Sequence, residues 1–137
     1  MKITFIGYKD SPVNIFDGLA AALRKKISGV EIEQRFAPFL EDLPKLAQES
    51  AEESDFMFVF ALAPDEKEIP VIEEKLIDVE LKTKTRMLKA IREDSMPADE
   101  EEFLAEKDAL VDEFTELIIG ILFNEKKFRP EDREFGL

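Results

Sequence analysis

Polar side chains that could do chemistry collect at the ends of apolar runs. The first run, ITFIGY (3–8), is followed by Lys9, Asp10 and Ser11. Together with Tyr8 they offer a phenol, an amine, a carboxylate and a hydroxyl, which could bind a polar ligand or exchange a proton with it. The same residue types also favour plain turns, so both interpretations of this segment stay open.

A second cluster is the segment FAPFLEDLP (36–44), which joins an alternating apolar run to a predicted helix. Asp42 is a plausible N-cap, and Pro44 fits the first helical turn, where its missing N–H would be unpaired anyway. Alternatively, residues 38–42 line a pocket through their backbone and through Asp42. The two interpretations are compatible, because the start of a capped helix can still offer free N–H groups to a neutral ligand.

Acidic side chains form two further groups, one within residues 73–80 and one at Glu100–Glu102. Paired carboxylates could hold Mg²⁺ or act as acid and base. Charged outer faces of helices carry the same residues because they keep a protein soluble, and this is the interpretation we favour. We therefore predict no metal site, and we assign no catalytic residue.

The composition excludes several classes of function. The 137 residues contain neither cysteine nor histidine, so the chain has no disulfide, thiol nucleophile, thiolate metal site or histidine general base. The formal net charge of −13 makes nucleic acid and anionic membrane surfaces unsuitable partners. The apolar part of the N-terminus is too short for a signal peptide, and no run approaches a membrane span. These features predict a cytoplasmic protein.

The loops argue against phosphate cofactors. GYKDSPVN (7–14) holds one glycine, whereas a dinucleotide loop needs several so that backbone N–H groups can approach the pyrophosphate. APDEKE (63–68) puts three acids where a helix N-terminus would face the anion. A phospho-acceptor receiver domain is rejected, because FALAP (60–64) stands where that domain needs an aspartate. No cofactor is predicted.

Strand-like and helix-like segments alternate four times along the chain. The continuous apolar run DFMFVFAL (55–62) predicts a central strand, and the alternation in VEIEQRFA (30–37) predicts an edge strand. Asp99 with Glu102 three residues later is a capping-box pattern. The predicted strands are 3–8, 30–37, 55–62 and 86–92, and the predicted helices are 15–27, 42–53, 64–84 (helical from near Pro70) and about 99–123.

This alternation predicts an α/β fold, a three-layer sandwich around a four-stranded parallel sheet. One domain is predicted for residues 1–137, with a loosely held tail at 124–137.

The segment FAPFLEDLPKLA (36–47) resembles the archaeal-type riboflavin synthases, which are relatives of lumazine synthase. Members of that family carry a strand that ends in a Pro-Gly segment, followed by an acid and Leu-Pro at the helix start. Here this stretch reads Pro38 to Pro44. Three further segments look similar to the family's layout: SPVNI (11–15), SDFMFVFALAP (54–64) and KAIREDSMPADEEEF (89–103).

The resemblance covers residues 2 to about 130, with 64–80 poorly matched, and it implies both a structure and a reaction. The implied structure is a lumazine-synthase-like domain with flavodoxin-like strand order, assembled as a homo-pentamer with sites shared between subunits. The implied reaction is dismutation of two 6,7-dimethyl-8-ribityllumazine molecules, in which a four-carbon unit passes from one to the other. The products are riboflavin and a pyrimidinedione.

The resemblance also implies residue roles toward a lumazine or flavin-like ligand. The implied ligand contacts are Tyr8, Asn14, Pro38, Phe39 and Asp42. Arg92 and Glu93 are implied to reach the site of a neighbouring subunit, and Lys84 and Lys89 are further candidates for charge stabilisation.

Three departures from the family pattern favour an alternative function. Phe39 replaces the glycine after Pro38, residues 61–64 replace a Gly-Met-Pro-Gly-like turn, and Arg92 stands where members have histidine. The alternative is a non-catalytic paralogue that acts as an oligomeric binding or regulatory protein. An open, polar-lined cleft at the strand ends would favour ligand binding, whereas loops closed by Phe39 and Leu62 would favour the alternative.

The last helix predicts an oligomer on separate grounds. Ile119 and Phe123 fall outside its main apolar stripe, so a monomer would expose them unless the tail covers them through Phe128 or Phe135. The stripe itself is wide enough to cover one side of a sheet and consists of Leu110, Val111, Phe114, Leu117, Ile118, Ile121 and Leu122.

Overall fold

The computed structural model describes residues 1–123, within which four strands and four helices alternate. The predicted alternation is confirmed, and the predicted tail, 124–137, lies outside the described residues. Short 3₁₀ turns at Leu40–Asp42 and Glu66–Glu68 precede the second and third helices. The strands are β1 (Lys2–Tyr8), β2 (Glu31–Ala37), β3 (Phe56–Ala63) and β4 (Arg86–Glu93), and the helices are α1 (Phe16–Lys26), α2 (Leu43–Ala51), α3 (Ile69–Thr83) and α4 (Glu100–Phe123).

The four strands form one parallel sheet in the order β2-β1-β3-β4. This is the predicted flavodoxin-like order. All eight residues of β3 are buried, as the continuous apolar run predicts for a central strand. Strand β2 lies at an edge of the sheet, as predicted, and is mostly half-buried or exposed.

Helices cover both faces of the sheet, so the domain has three layers. One face packs against α1 and α4 and carries a cluster of aromatic rings. The other face packs against α2 and α3 through smaller apolar side chains. The buried rings of this cluster are Phe5, Phe16, Phe56, Phe58, Phe60 and Phe114.

The starts of two helices test the capping predictions. Oδ2 of Asp99 accepts a hydrogen bond from the backbone N–H of Glu102 at 3.1 Å, so this predicted cap is confirmed. Asp42 directly precedes α2, but its side chain makes no capping hydrogen bond. The reason is its backbone, which is helical (φ −86°, ψ −5°) because Asp42 ends the 3₁₀ turn. An N-cap residue needs an extended backbone to aim its oxygen at the helix.

Helix α4 buries a wider arc than the sequence predicts. Ile119 was expected to be exposed, yet it packs partly against the core. The reason is that α4 contacts α1 as well as the sheet. The two helices approach so closely that a Cβ added to Gly18 would lie 3.2 Å from a methyl group of Val111. Phe123 is exposed among the described residues, as expected.

Charged side chains on the α2 side of β2 form a connected cluster with the start of β1. The ammonium group of Lys2 lies 3.0 Å from the carboxylate of Glu33, and Nε of Arg35 lies 3.2 Å from the same carboxylate. The hydrogen bond from Lys2, followed by that from Arg35, lowers the pKa of Glu33 below its ordinary value of 4.5.

We expect Glu33→Gln to destabilise the fold near about pH 6 and to have less effect as the pH falls toward about 3. A carboxylate whose pKa is lowered on folding contributes stability above its unfolded pKa, and the contribution disappears as the pH falls through the folded pKa. The effect should be small, because both partners are partly exposed. Urea midpoints of both proteins across this range measure it.

Glu31→Gln is the matched control, because Glu31 lies 4.0 Å from Lys2 and is more exposed than Glu33. An equal loss for both variants, or a loss for Glu33→Gln that persists at acid pH, would contradict the assigned cause.

Candidate functional site

Three loops meet at the carboxyl ends of β1, β2 and β3. In the sheet, β1 has β2 on one side and β3 on the other. The chain therefore runs from β1 to one side of the sheet, and then crosses from β2 to the opposite side of β1, where β3 lies. Where the strand order reverses in an open parallel sheet, the loops diverge and leave a crevice in which ligands bind. A hydrogen bond of 2.9 Å from Lys9 N to Ala37 O holds the ends of β1 and β2 together.

A cavity of about 470 Å³ occupies this position on the α2 and α3 side of the sheet. We call it the strand-end cavity. Its volume lies within the range of roughly 300–1,000 Å³ that is typical of small-molecule sites. Its lining residues are Tyr8, Phe39, Leu40, Glu41, Pro64, Lys67, Glu68, Val71, Ile72 and Lys75.

The aromatic part of this cavity consists of Tyr8 and Phe39. Tyr8 ends β1 and is half-buried, so the fold limits its movement. Phe39 has an extended backbone (φ −127°, ψ 147°) and leaves 63% of its surface exposed. Two aromatic side chains at a cavity can hold a planar ring by stacking or by edge-to-face contact.

The cavity is open rather than closed by its loops. Phe39 does not fill it, because most of the side chain is exposed. Leu62 is buried, but it belongs to the core on the opposite face of the sheet, with Phe58 and Phe60. The cavity is therefore not closed by Phe39 and Leu62.

The polar part of the strand-end cavity comes from the turn before α3 and from its first turns. Lys67, Glu68 and Lys75 contribute from this side, and Glu41 contributes from the β2–α2 loop. Oδ1 of Asp65 accepts a hydrogen bond of 3.0 Å from Lys67 N, which fixes the backbone of this turn.

Two smaller cavities adjoin the same loops. One of about 230 Å³, the edge cavity, lies beside β2 and is lined by Phe36, Ala37, Pro38, Asp42, Lys45, Leu46 and Glu49. The other, of about 50 Å³, lies between the β1–α1 loop and the aromatic core. Ser11, Asn14 and Phe16 line it, and the Ser11 hydroxyl is buried without a hydrogen-bond partner in the described chain.

The structure divides the five predicted ligand contacts among these cavities. Tyr8 and Phe39 meet at the strand-end cavity, whereas Pro38 and Asp42 line the edge cavity. Asn14 lines the smallest cavity, and its Oδ1 accepts a hydrogen bond of 2.9 Å from Phe16 N at the start of α1. Asn14 therefore has a local structural role.

Arg92 and Glu93 end β4 and line none of the three cavities. The guanidinium of Arg92 binds the carboxylate of Glu113 through two nitrogens, the shorter contact being 2.6 Å. It also lies 4.8 Å from the centre of the Phe114 ring. The predicted contact with a neighbouring subunit's site stays a prediction.

The two further lysine candidates lie away from the strand-end cavity. Lys84 follows α3 and precedes β4, which places it at the amino-terminal edge of the sheet. The ammonium group of Lys89 is bound by Glu80 at 2.6 Å. Neither lines any of these three cavities, and the role of both in charge stabilisation stays a prediction.

The sequence interpretation missed Lys67, Val71 and Lys75. Val71 and Lys75 lie four residues apart in α3, and residues four apart share one face of a helix, so their spacing was an available signal. Lys67 lies in the 3₁₀ turn before α3 and offered no such signal.

No group of three or more acidic side chains within residues 1–123 is arranged to hold a metal ion. None of the helices in the same stretch combines the length and the apolar character that a membrane span requires.

Comparisons with known proteins leave the function open. No protein-family model matches the chain, and no curated protein matches it. One similar solved structure is described as "Solution structure of a phosphate-loop protein". Its sequence is 15% identical, the match covers 85% of this chain and 94% of that chain, and the TM-score is 0.41. A likeness at this level assigns no function.

Proposed function

We propose that the chain is a riboflavin-synthase-like protein whose strand-end cavity binds 6,7-dimethyl-8-ribityllumazine or a related flavin-like ring compound. The observation that carries the proposal is the pair of aromatic side chains, Tyr8 and Phe39, at an open cavity of about 470 Å³. The resemblance of the segment 36–47 to the archaeal-type riboflavin synthases supports the same ligand class.

The lining offers complementary chemistry to both parts of such a ligand. Tyr8 and Phe39 would contact the ring system, and Val71 and Ile72 add apolar surface. The hydroxyls of a ribityl chain can donate to the carboxylates of Glu41 and Glu68, which line the same cavity.

Dismutation would place a second ring compound beside the first, since a four-carbon unit passes between them. The proposed catalysis is then mainly the positioning of two rings, together with removal of a proton from an acidic methyl group. The volume of the strand-end cavity suits one small molecule. This observation favours a second candidate function, a binding or regulatory protein that holds one ligand without turning it over.

We expect 6,7-dimethyl-8-ribityllumazine to bind the full chain with a dissociation constant below about 1 mM, as weak small-molecule sites allow. Phe39→Ala should weaken this binding about tenfold, because it removes one aromatic contact and its buried area. Quenching of the ligand's fluorescence measures the affinity. Phe36→Ala is the matched control, because Phe36 is also a partly exposed phenylalanine but lines the edge cavity.

Absence of binding at millimolar ligand would overturn the proposal, as would equal losses for the two variants. The same incubation separates the two candidates. Formation of riboflavin supports the synthase, whereas binding without riboflavin supports the non-catalytic protein.

A further inference from the structure

Two lysines of the strand-end cavity have ammonium groups without a partner among residues 1–123. Lys67 and Lys75 line the cavity, and neither takes part in an ion pair with a described residue. The main chain of Lys67 is fixed by the hydrogen bond from its N–H to Asp65. The turn is therefore anchored while the ammonium group stays available to a ligand.

Glu41 and Glu68 line the same cavity, and neither forms an ion pair with Lys67 or Lys75. The cavity thus presents separate anionic and cationic groups beside its aromatic side chains. A neutral ring compound with a polyol chain leaves the ammonium groups without an anion. A terminal oxyanion on the same chain would accept charge-assisted hydrogen bonds from them, while the hydroxyls donate to the carboxylates.

We infer that the strand-end cavity prefers a ring compound whose polyol chain ends in a phosphate monoester over the same compound without it. This inference rests on the proposed function, because it assumes that a flavin-like ring enters this cavity. The lack of a glycine-rich loop and the three acids of residues 63–68 oppose an anion held by backbone N–H groups, so Lys67 and Lys75 would hold the phosphate through their side chains instead.

The test compares riboflavin with riboflavin 5′-phosphate on the full chain, with flavin fluorescence as the signal. At low salt we expect the phosphate ester to bind about fivefold to thirtyfold more tightly, as two partly exposed ion pairs allow. The preference should shrink as the salt concentration rises, because exposed charges are screened. Equal affinities for the two flavins would overturn the inference while leaving the proposed function in place.

Substitutions in the strand-end cavity test whether its two lysines cause the preference for the phosphate ester. Lys67→Gln and Lys75→Gln should each lower the ratio of the two affinities by about threefold, and Glu68→Gln should raise it, since it removes a like charge from the cavity. Lys45→Gln is the matched control, because Lys45 lines the edge cavity instead. A preference for the phosphate ester that survives Lys67→Gln and Lys75→Gln together would overturn the assignment to these lysines. Failure of both flavins and of the lumazine to bind would overturn the proposed function itself.

Discussion

Phe58→Ala should lower the free energy of unfolding by about 4 kcal/mol, the usual loss for a fully buried phenylalanine. Phe58 is 0% exposed in β3, a strand that is buried along its whole length. Its ring centre lies 4.9 Å from that of Phe114 and 5.9 Å from that of Phe5. Phe16 and Phe60 complete the surrounding cluster, each with its ring centre at 6.1 Å. Removing this ring leaves a cavity where two helices and the sheet meet. Urea unfolding followed by far-ultraviolet circular dichroism measures the loss.

Phe39→Ala is the control for this prediction, because it removes the same atoms from a side chain that is 63% exposed. We expect it to cost less than about 0.5 kcal/mol, as most exposed substitutions do. Comparable losses for the two variants would contradict the burial of Phe58. Since Phe39 also carries the proposed ring contact, this variant further shows that a loss of binding can occur in a folded protein.

The order of the elements was predictable because the spacing of apolar residues in the sequence shows which faces of a strand or helix are buried. Strand β3 is read from eight consecutive apolar residues, since a strand covered on both faces carries few polar side chains. Strand β2 is read from its alternation, because one face of an edge strand is wetter. The strand order β2-β1-β3-β4 is less local and was expected from the family resemblance.

Side-chain roles were harder to predict because they depend on packing between distant segments. The type and position of Asp42 fit an N-cap, but the preceding 3₁₀ turn gives it a helical backbone, and the capping bond is absent. Ile119 lies outside the apolar stripe that α4 would need to pack against the sheet alone. In the structure α4 packs against both the sheet and α1. The spacing of apolar residues within each helix indicates neither the 3₁₀ turn before α2 nor the contact between α4 and α1.

The position of the candidate site in the fold was easier to predict than the residues that line it. Parallel α/β sheets bind ligands at the carboxyl ends of their strands, so the alternation of strands and helices predicts a site in the loops that follow the strands. Tyr8 and Phe39 meet there. Lys67 and Lys75 were missed because their approach to the cavity depends on where α3 begins relative to β1 and the β2–α2 loop. That placement is a property of the packed fold.

Helix α3 carries the exposed apolar surface that supports the prediction of an oligomer. Ile77 is 45% exposed and Leu81 is 72% exposed. They lie four residues apart and so share one face of the helix. The buried residues of α3, Ile72, Leu76 and Val79, point toward the sheet, which leaves Ile77 and Leu81 on its outer side. Adjacent exposed apolar side chains on a chain that is 37% charged are the kind of surface that marks a contact between subunits.

The full chain is expected to show a mass above that of one 15.7 kDa chain in light scattering at micromolar concentration. A mass near five chains would fit the pentamer implied by the family resemblance. The double variant Ile77→Glu and Leu81→Glu should return the mass to one chain, because two carboxylates would have to be buried in the contact. Its far-ultraviolet circular dichroism should not change, because both side chains are exposed in the subunit. Leu104→Glu, on the outer side of α4, is the control. A mass near 15.7 kDa for the unaltered chain refutes the oligomer, and dissociation by Leu104→Glu alone moves the contact from α3 to α4.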